Sequence, residues 1–271
     1  MLSIISIFLF LLNAYAVSPA PQSETIEPAV IECRYLENVM VDTLSKRIVG
    51  DTLILKAGRT SSAFYSKDLF FRDSVSAQPG GKEKLRRLMF EYARNGRMSE
   101  LSSNTSEYIY QNWPEGSTTT RAKLDDIPVE FTEERELPKW KLRDSVKMIL
   151  GYECRMAEAD FRGRKWIAWY SADVPLSTGP WKLWGLPGLI FEAYDSNKEY
   201  SYSMTSISAG SPGEVAAFDW LGKEEKYTTI TRKKYLRSYL GIESLNAETA
   251  KDEGLGDFVQ ERKYDLRERD Y

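Results

Sequence analysis

Tyr152-Glu153-Cys154-Arg155-Met156-Ala157 and Lys165-Trp166-Ile167-Ala168-Trp169-Tyr170, joined through Phe161-Arg162-Gly163-Arg164, decide the fold. In the first run Tyr152, Cys154 and Met156 alternate with Glu153, Arg155 and Ala157, which is the two-residue period of a strand. The second run puts Trp166, Ala168 and Tyr170 on one side and Ile167 and Trp169 on the other. A glycine-containing turn between two such runs predicts a hairpin near the centre of an antiparallel sheet. Two apolar sides on the return strand require cover on both faces, or a surface for a partner.

Working outward, the same pattern recurs. Leu189, Phe191 and Ala193 point one way, Asp195-Ser196-Asn197 supplies polar turn chemistry, and Tyr200, Tyr202 and Met204 alternate with Ser201, Ser203 and Thr205. That is a second hairpin. Toward the amino terminus, Val30 to Tyr35, Thr52 to Leu55 and Ser62 to Ser66 read as short strands separated by turn residues. Between these groups Lys82 to Arg94 places Leu85, Leu88, Met89 and Tyr92 on one helical stripe, with Gly96 as its stop. Tyr227 to Leu240 has helical spacing in part, while Thr228-Thr229-Ile230-Thr231 favours a strand at its start. Gln260 to Tyr271 is mostly polar and is expected to be an edge strand or frayed.

The first residues bear on the compartment. Leu2 to Leu12 is uncharged and almost wholly apolar, and Asn13-Ala14-Tyr15-Ala16 follows it, so residues 1–16 read as a signal peptide with its processing site. The run is too short for a spanning helix, so no transmembrane anchor is expected in the mature chain. Residues 17–28 are expected to be a flexible lead-in and residues 29–271 one β-rich domain. The 37 basic and 40 acidic side chains sum to −3, which gives no electrostatic reason to expect nucleic acid as a partner. Cys33 and Cys154 are the two cysteines, and in an oxidising compartment such a pair is commonly a disulfide, two buried thiols being the alternative.

The absence of histidine from the sequence removes Ser-His-Asp and Cys-His catalysis and histidine-ligated zinc. No metal set and no cofactor motif is read, a serine-lysine mechanism stays open, and so does a two-carboxylate one. Its candidates near the aromatic centre are Asp160, Asp173, Glu192 and Asp195.

The segment Gly179-Pro180-Trp181-Lys182-Leu183-Trp184-Gly185-Leu186-Pro187-Gly188-Leu189-Ile190 closely resembles the signature of the GLPGLI family of exported Bacteroidetes proteins. The likeness extends upstream through Gly151 to Cys154, Phe161 to Arg164, Trp166, Ala168 to Tyr170 and Pro175. It implies a secreted or periplasmic protein, in some cases peripheral at the outer membrane beside a transport system, and brings no established activity or catalytic residues. Physically, the glycines permit unusual backbone angles and the prolines restrict φ, so the loop is stiff. It can plug the sheet or form a rim that presents rings. On the second reading Trp169, Tyr170, Trp181 and Trp184 are apolar contacts, and Arg162 and Arg164 are directional donors to a carboxylate, a phosphate or a partner backbone. An envelope protein, a peptide or a small apolar ligand would suit such a surface.

The expected architecture is mainly β, with one or two helices against an antiparallel sheet that is strongly curled into an open half-barrel. Curling lets a single sheet enclose its own core. The expected role is an exported envelope binding or accessory protein, and the competing class is a carboxylate-based hydrolase acting on a saccharide or another envelope substrate.

Overall fold

The computed structural model describes residues 23–124, 127–210, 212–221, 225–238 and 266–270. The expected signal peptide, residues 17–22 and residues 260–265 lie outside the described residues. The strands are, in chain order, β1 (Ser23–Pro28), β2 (Ile31–Asp42), β3 (Arg47–Ala57), β4 (Ser62–Ser66), β5 (Tyr108–Gln111), β6 (Ser117–Leu124), β7 (Ile127–Glu134), β8 (Lys141–Ile149), β9 (Tyr152–Phe161), β10 (Arg164–Ser171), β11 (Leu189–Asp195), β12 (Tyr200–Ser208), β13 (Glu214–Phe218) and β14 (Thr228–Thr229). Helices α1 (Lys67–Ser76) and α2 (Gly81–Arg94) lie between β4 and β5.

Twelve strands form one sheet in the order β14-β7-β6-β5-β4-β3-β2-β12-β11-β10-β9-β8, while β1 and β13 form a separate pair. All described pairings are antiparallel except β14 with β7. The fold is therefore mainly β, and its end strands β14 and β8 do not pair with each other to close a barrel. No helix among the described residues is long and apolar enough to cross a membrane.

The two hairpins form where local sequence predicts them. Phe161 pairs with Arg164 across the two-residue turn Arg162-Gly163, whose φ values of 52° and 74° match the hand of the strand twist. In the second hairpin Ala193 pairs with Tyr202, and the Asp195 carboxylate accepts from the Tyr200 amide at 2.8 Å. The buried phases Ile31, Cys33 and Tyr35 of β2 and Leu53, Leu55 and Ala57 of β3 meet Phe64, Trp166 and Tyr202 in the main core. A second cluster gathers Tyr65, Tyr108, Tyr110 and Phe218, and a third joins Phe131, Tyr235, Leu236 and Leu266.

Three elements differ from expectation. Residues 23–28 of the expected flexible lead-in are strand β1, because β13 supplies a pairing edge and the Glu27 carboxylate accepts from the amides of Arg59, Thr60 and Ser61. Cys33 and Cys154 are free thiols, not a disulfide. They stand on β2 and β9, with β12, β11 and β10 between them in the sheet. Burial pushes their thiols up, to about 12 for Cys33 and about 11 for Cys154. Helix α2 carries the expected stripe, yet Gly81 is its one buried residue, so the helix rests lightly on the fold.

After β14, residues 232–238 are helical and place Tyr235 and Leu236 in the third cluster. Residues 266–270 are neither strand nor helix and still pack: Leu266 and Glu268 are buried.

Candidate functional site

The loop from Thr178 to Gly188 closes over the sheet. Thr178 Oγ1 donates to Ser62 Oγ at 3.2 Å, and Trp181, Leu183 and Leu186 are buried. The Trp181 ring lies 5.3 Å from Trp166 and 5.7 Å from Phe161, and its carbonyl accepts from Gln111 Nε2 at 2.9 Å. At the end of the loop Gly188 adopts φ 152°, and a Cβ there would stand 2.1 Å from the Ser171 carbonyl oxygen, so only glycine fits.

The six residues read as a binding surface do not form one face. Trp181 points into the core and Tyr170 is buried. Trp169 lies under Lys147, whose ammonium is 4.3 Å from the ring centroid. Trp184 is half-buried at the rim: its indole donates to the Glu136 carbonyl at 2.9 Å, its own carbonyl accepts from Trp140 Nε1 at 2.7 Å, and the Arg135 guanidinium stacks 3.8 Å from its ring.

Arg162 and Arg164 act as directional donors toward the chain's own residues 266–270. Arg164 is buried and donates to the carbonyls of Leu266 at 2.6 Å and Arg267 at 3.1 Å, and to the carboxylates of Asp195 at 2.9 Å and Glu199 at 2.7 Å. Arg162 donates to Glu133 at 2.7 Å and Asp270 at 3.4 Å.

Three charged groups that sequence reasoning missed complete this groove. Lys182, inside the aromatic loop, is buried and bridges Glu133 and Glu268 at 2.6 Å each. Arg232 also grips Glu268 and Asp270. Although burial pushes the Glu268 carboxyl up, the Lys182 ammonium and the Arg232 guanidinium hold it at about 2. Arg267 donates to the fully buried Glu37 at 2.8 Å and lies 3.6 Å from Glu107, with its guanidinium 5.3 to 5.8 Å from the rings of Tyr200, Trp181 and Tyr202. Burial raises the Glu37 carboxyl against the pull of Arg267, and Asp51, directly opposite it on β3, raises it further. Sequence signals existed for Lys182 and for Glu37, the partner of Arg267. Lys182 is the sole charge in Gly179 to Ile190, and Glu37 continues the buried phase of Ile31, Cys33 and Tyr35.

A cavity of about 240 Å³ lies beside this segment, walled by Trp181, Tyr200 and Tyr235 with Glu107, Arg267 and Glu268 at its polar side. The four acids read as catalytic candidates do not converge on it. Glu192 is held by Lys147 at 2.8 Å and Asp195 by Arg164, while Asp160 and Asp173 are exposed at opposite ends of β10.

One further surface is open. β8 is the last strand of the sheet, and no described strand pairs with its outer edge. Leu142, Val146 and Met148 oppose Ala157, Arg155 and Glu153 of β9 and are 59, 52 and 65% exposed.

A family model described as "Protein of unknown function (Porph_ging)" matches residues 160–192, the span of the β9–β10 turn, β10 and the aromatic loop. That match covers the motif on which the GLPGLI resemblance rests and carries a different family name. No curated protein matches the sequence. Among solved structures, PNGF-II is similar at 14% identity in a P21 crystal form and 15% in a C2 form, each with a TM-score of 0.49. The alignments cover 78 and 79% of this chain and 33 and 32% of that one, so the chain spans about a third of the solved protein it matches.

Proposed function

We propose that the protein is an exported binding or accessory component of the cell envelope, and that it meets its partner along the open edge of β8. The observation that carries this reading is the exposed apolar row Leu142, Val146 and Met148 on the outermost strand. An unpaired strand edge with apolar side chains is a template for an extended segment of another chain. Main-chain hydrogen bonds supply affinity there, and alternate side chains supply selectivity. Export is supported by the apolar run Leu2 to Leu12 and the Asn13-Ala14-Tyr15-Ala16 site that follows.

The half-barrel reading belongs with this proposal. β7 and β10 stand eight positions apart in the sheet, about 38 Å if it were flat. Arg162, in the turn that leads into β10, nevertheless reaches Glu133 of β7 at 2.7 Å. Strong curling reconciles the two distances. A hydrolase would need two acids across one open cleft, whereas Glu192 and Asp195 are tied to cations and Asp160 and Asp173 stand apart. Binding is therefore the better reading of the geometry.

The test is a Val146→Asp/Met148→Asp double variant of the mature chain, compared with the unaltered protein for capture of envelope proteins and for hydrogen exchange in the captured complex. Capture should fall by about tenfold or more, thermal stability should stay close to that of the unaltered protein, and the amides of β8 should be protected by the partner. Equal capture by both forms, or protection confined to other strands, would sink the reading.

A further inference from the structure

Residues 266–270 lie in their groove as a bound peptide lies in a receptor. No hydrogen-bond ladder of a sheet holds them, since all five are outside regular strand. Their backbone is read by Arg164, which donates to the Leu266 and Arg267 carbonyls, and by the Arg162 carbonyl, which accepts from the Arg269 amide at 2.9 Å. Gly163 lets the segment pass, because a Cβ there would stand 2.7 Å from Arg269 Cβ.

Each side chain meets a group of matching chemistry. Leu266 enters the cluster of Phe131, Tyr235 and Leu236. Arg267 enters a cage of three rings closed by Glu37 and Glu107. Glu268 meets Lys182 and Arg232, Arg269 meets Glu199 at 2.8 Å, and Asp270 meets Arg162 and Arg232. The fit is nonetheless incomplete. The Nε atoms of Arg267 and Arg162 are buried without a hydrogen-bond partner, and the cavity of about 240 Å³ remains beside Arg267. Natively packed elements rarely leave buried donors unpaired, and these two donors sit where the segment meets its groove.

We propose that this groove is a peptide-recognition site for extended segments of the pattern apolar-Arg-Glu-Arg-Asp, and that residues 266–270 are a resident occupant which a matching segment of a partner protein displaces. Charge complementarity sets the class of partner. The groove presents carboxylates at the second and fourth positions and cations at the third and fifth, so a segment without the arginine at its second position strands Glu37 unpaired in the interior. This proposal is independent of the β8 edge, and either can fail alone.

The probe is a labelled, end-capped peptide Leu-Arg-Glu-Arg-Asp added to the full mature chain and to Arg267→Ala, which leaves the ring cage empty. The unaltered chain is expected to bind it weakly against its internal competitor, and Arg267→Ala about tenfold or more tightly than that. A peptide with alanine at the second position should lose about tenfold or more. If Arg267→Ala does not fold, the unaltered chain decides alone: excess peptide should speed hydrogen exchange at residues 266–270. No binding by either folded form, equal binding of the alanine peptide, or unchanged exchange at residues 266–270 would overturn the proposal. Dimers formed at high protein concentration without peptide binding would assign the groove to a second copy, and would overturn it too.

Discussion

Trp181 has φ 56°, a left-handed backbone that costs a bulky residue on the order of 1–2 kcal/mol. The position is held because its ring is packed against Trp166 and Phe161 and its carbonyl is bonded to Gln111. Trp181→Ala is expected to lower the unfolding free energy by about 3–5 kcal/mol in urea titration, and Trp184→Ala, at the half-buried rim, by about 1 kcal/mol. Equal losses would mean that the loop does not act as a plug. Glu268 sets an acid limb. Its carboxyl is held at about 2 against an ordinary 4.5, so its stabilisation is present above pH 4.5 and is lost as pH falls from there toward 2. Glu268→Gln should cost on the order of 3 kcal/mol at neutral pH and flatten stability across that window. Glu37 has the opposite sign: its raised carboxyl favours the folded state at low pH and loses that contribution as pH rises through its shifted value. The sequence places Trp181, Arg162 and Arg164 in a distinctive segment because tryptophan is rare and glycine and proline constrain the backbone in ways other residues do not. It does not tell whether Arg164 faces a ligand or the chain's own residue 266, since both look alike from position 164.

Among the elements, helix α2 separates what periodicity gives from what packing gives. Leu85, Leu88, Met89 and Tyr92 are spaced as a helical stripe and the helix forms, yet none of the four is buried. Periodicity selects a conformation from neighbours three and four residues away, whereas cover comes from distant chain. Leu88→Ala should therefore cost under about 1 kcal/mol, while Leu55→Ala in the fully buried phase of β3 should cost about 2–5 kcal/mol, both measured by denaturant unfolding. The aromatic loop behaves differently, since its conformation depends on one close approach. Gly188→Ala should destabilise by more than about 1 kcal/mol through collision with the Ser171 carbonyl, and the measured loss should exceed that of Gly116→Ala, where a Cβ meets nothing within 4 Å. Strand β8 is not read from the sequence, because a register irregularity between Leu142 and Val146 hides its period.

In the whole molecule, stability rests on packing and on buried charge pairs, with no covalent link between Cys33 and Cys154. Reductant is expected to leave the melting temperature of the purified mature chain unchanged, as followed by circular dichroism. A fall of several degrees would show that a bridge forms after all. What the sequence by itself determined was the mainly antiparallel β character and both central hairpins. Strand period and turn chemistry are written in adjacent residues and need no distant partner. Only the tertiary structure decided the rest: that β2 pairs with β12, that the apolar run of the loop faces inward, that the two thiols stay apart, and that residues 266–270 return to Arg164, Lys182 and Glu37. Those choices are contacts between residues far apart in the chain. A buried charge finds its counter-charge wherever the folded chain brings one, which leaves no local periodicity to read.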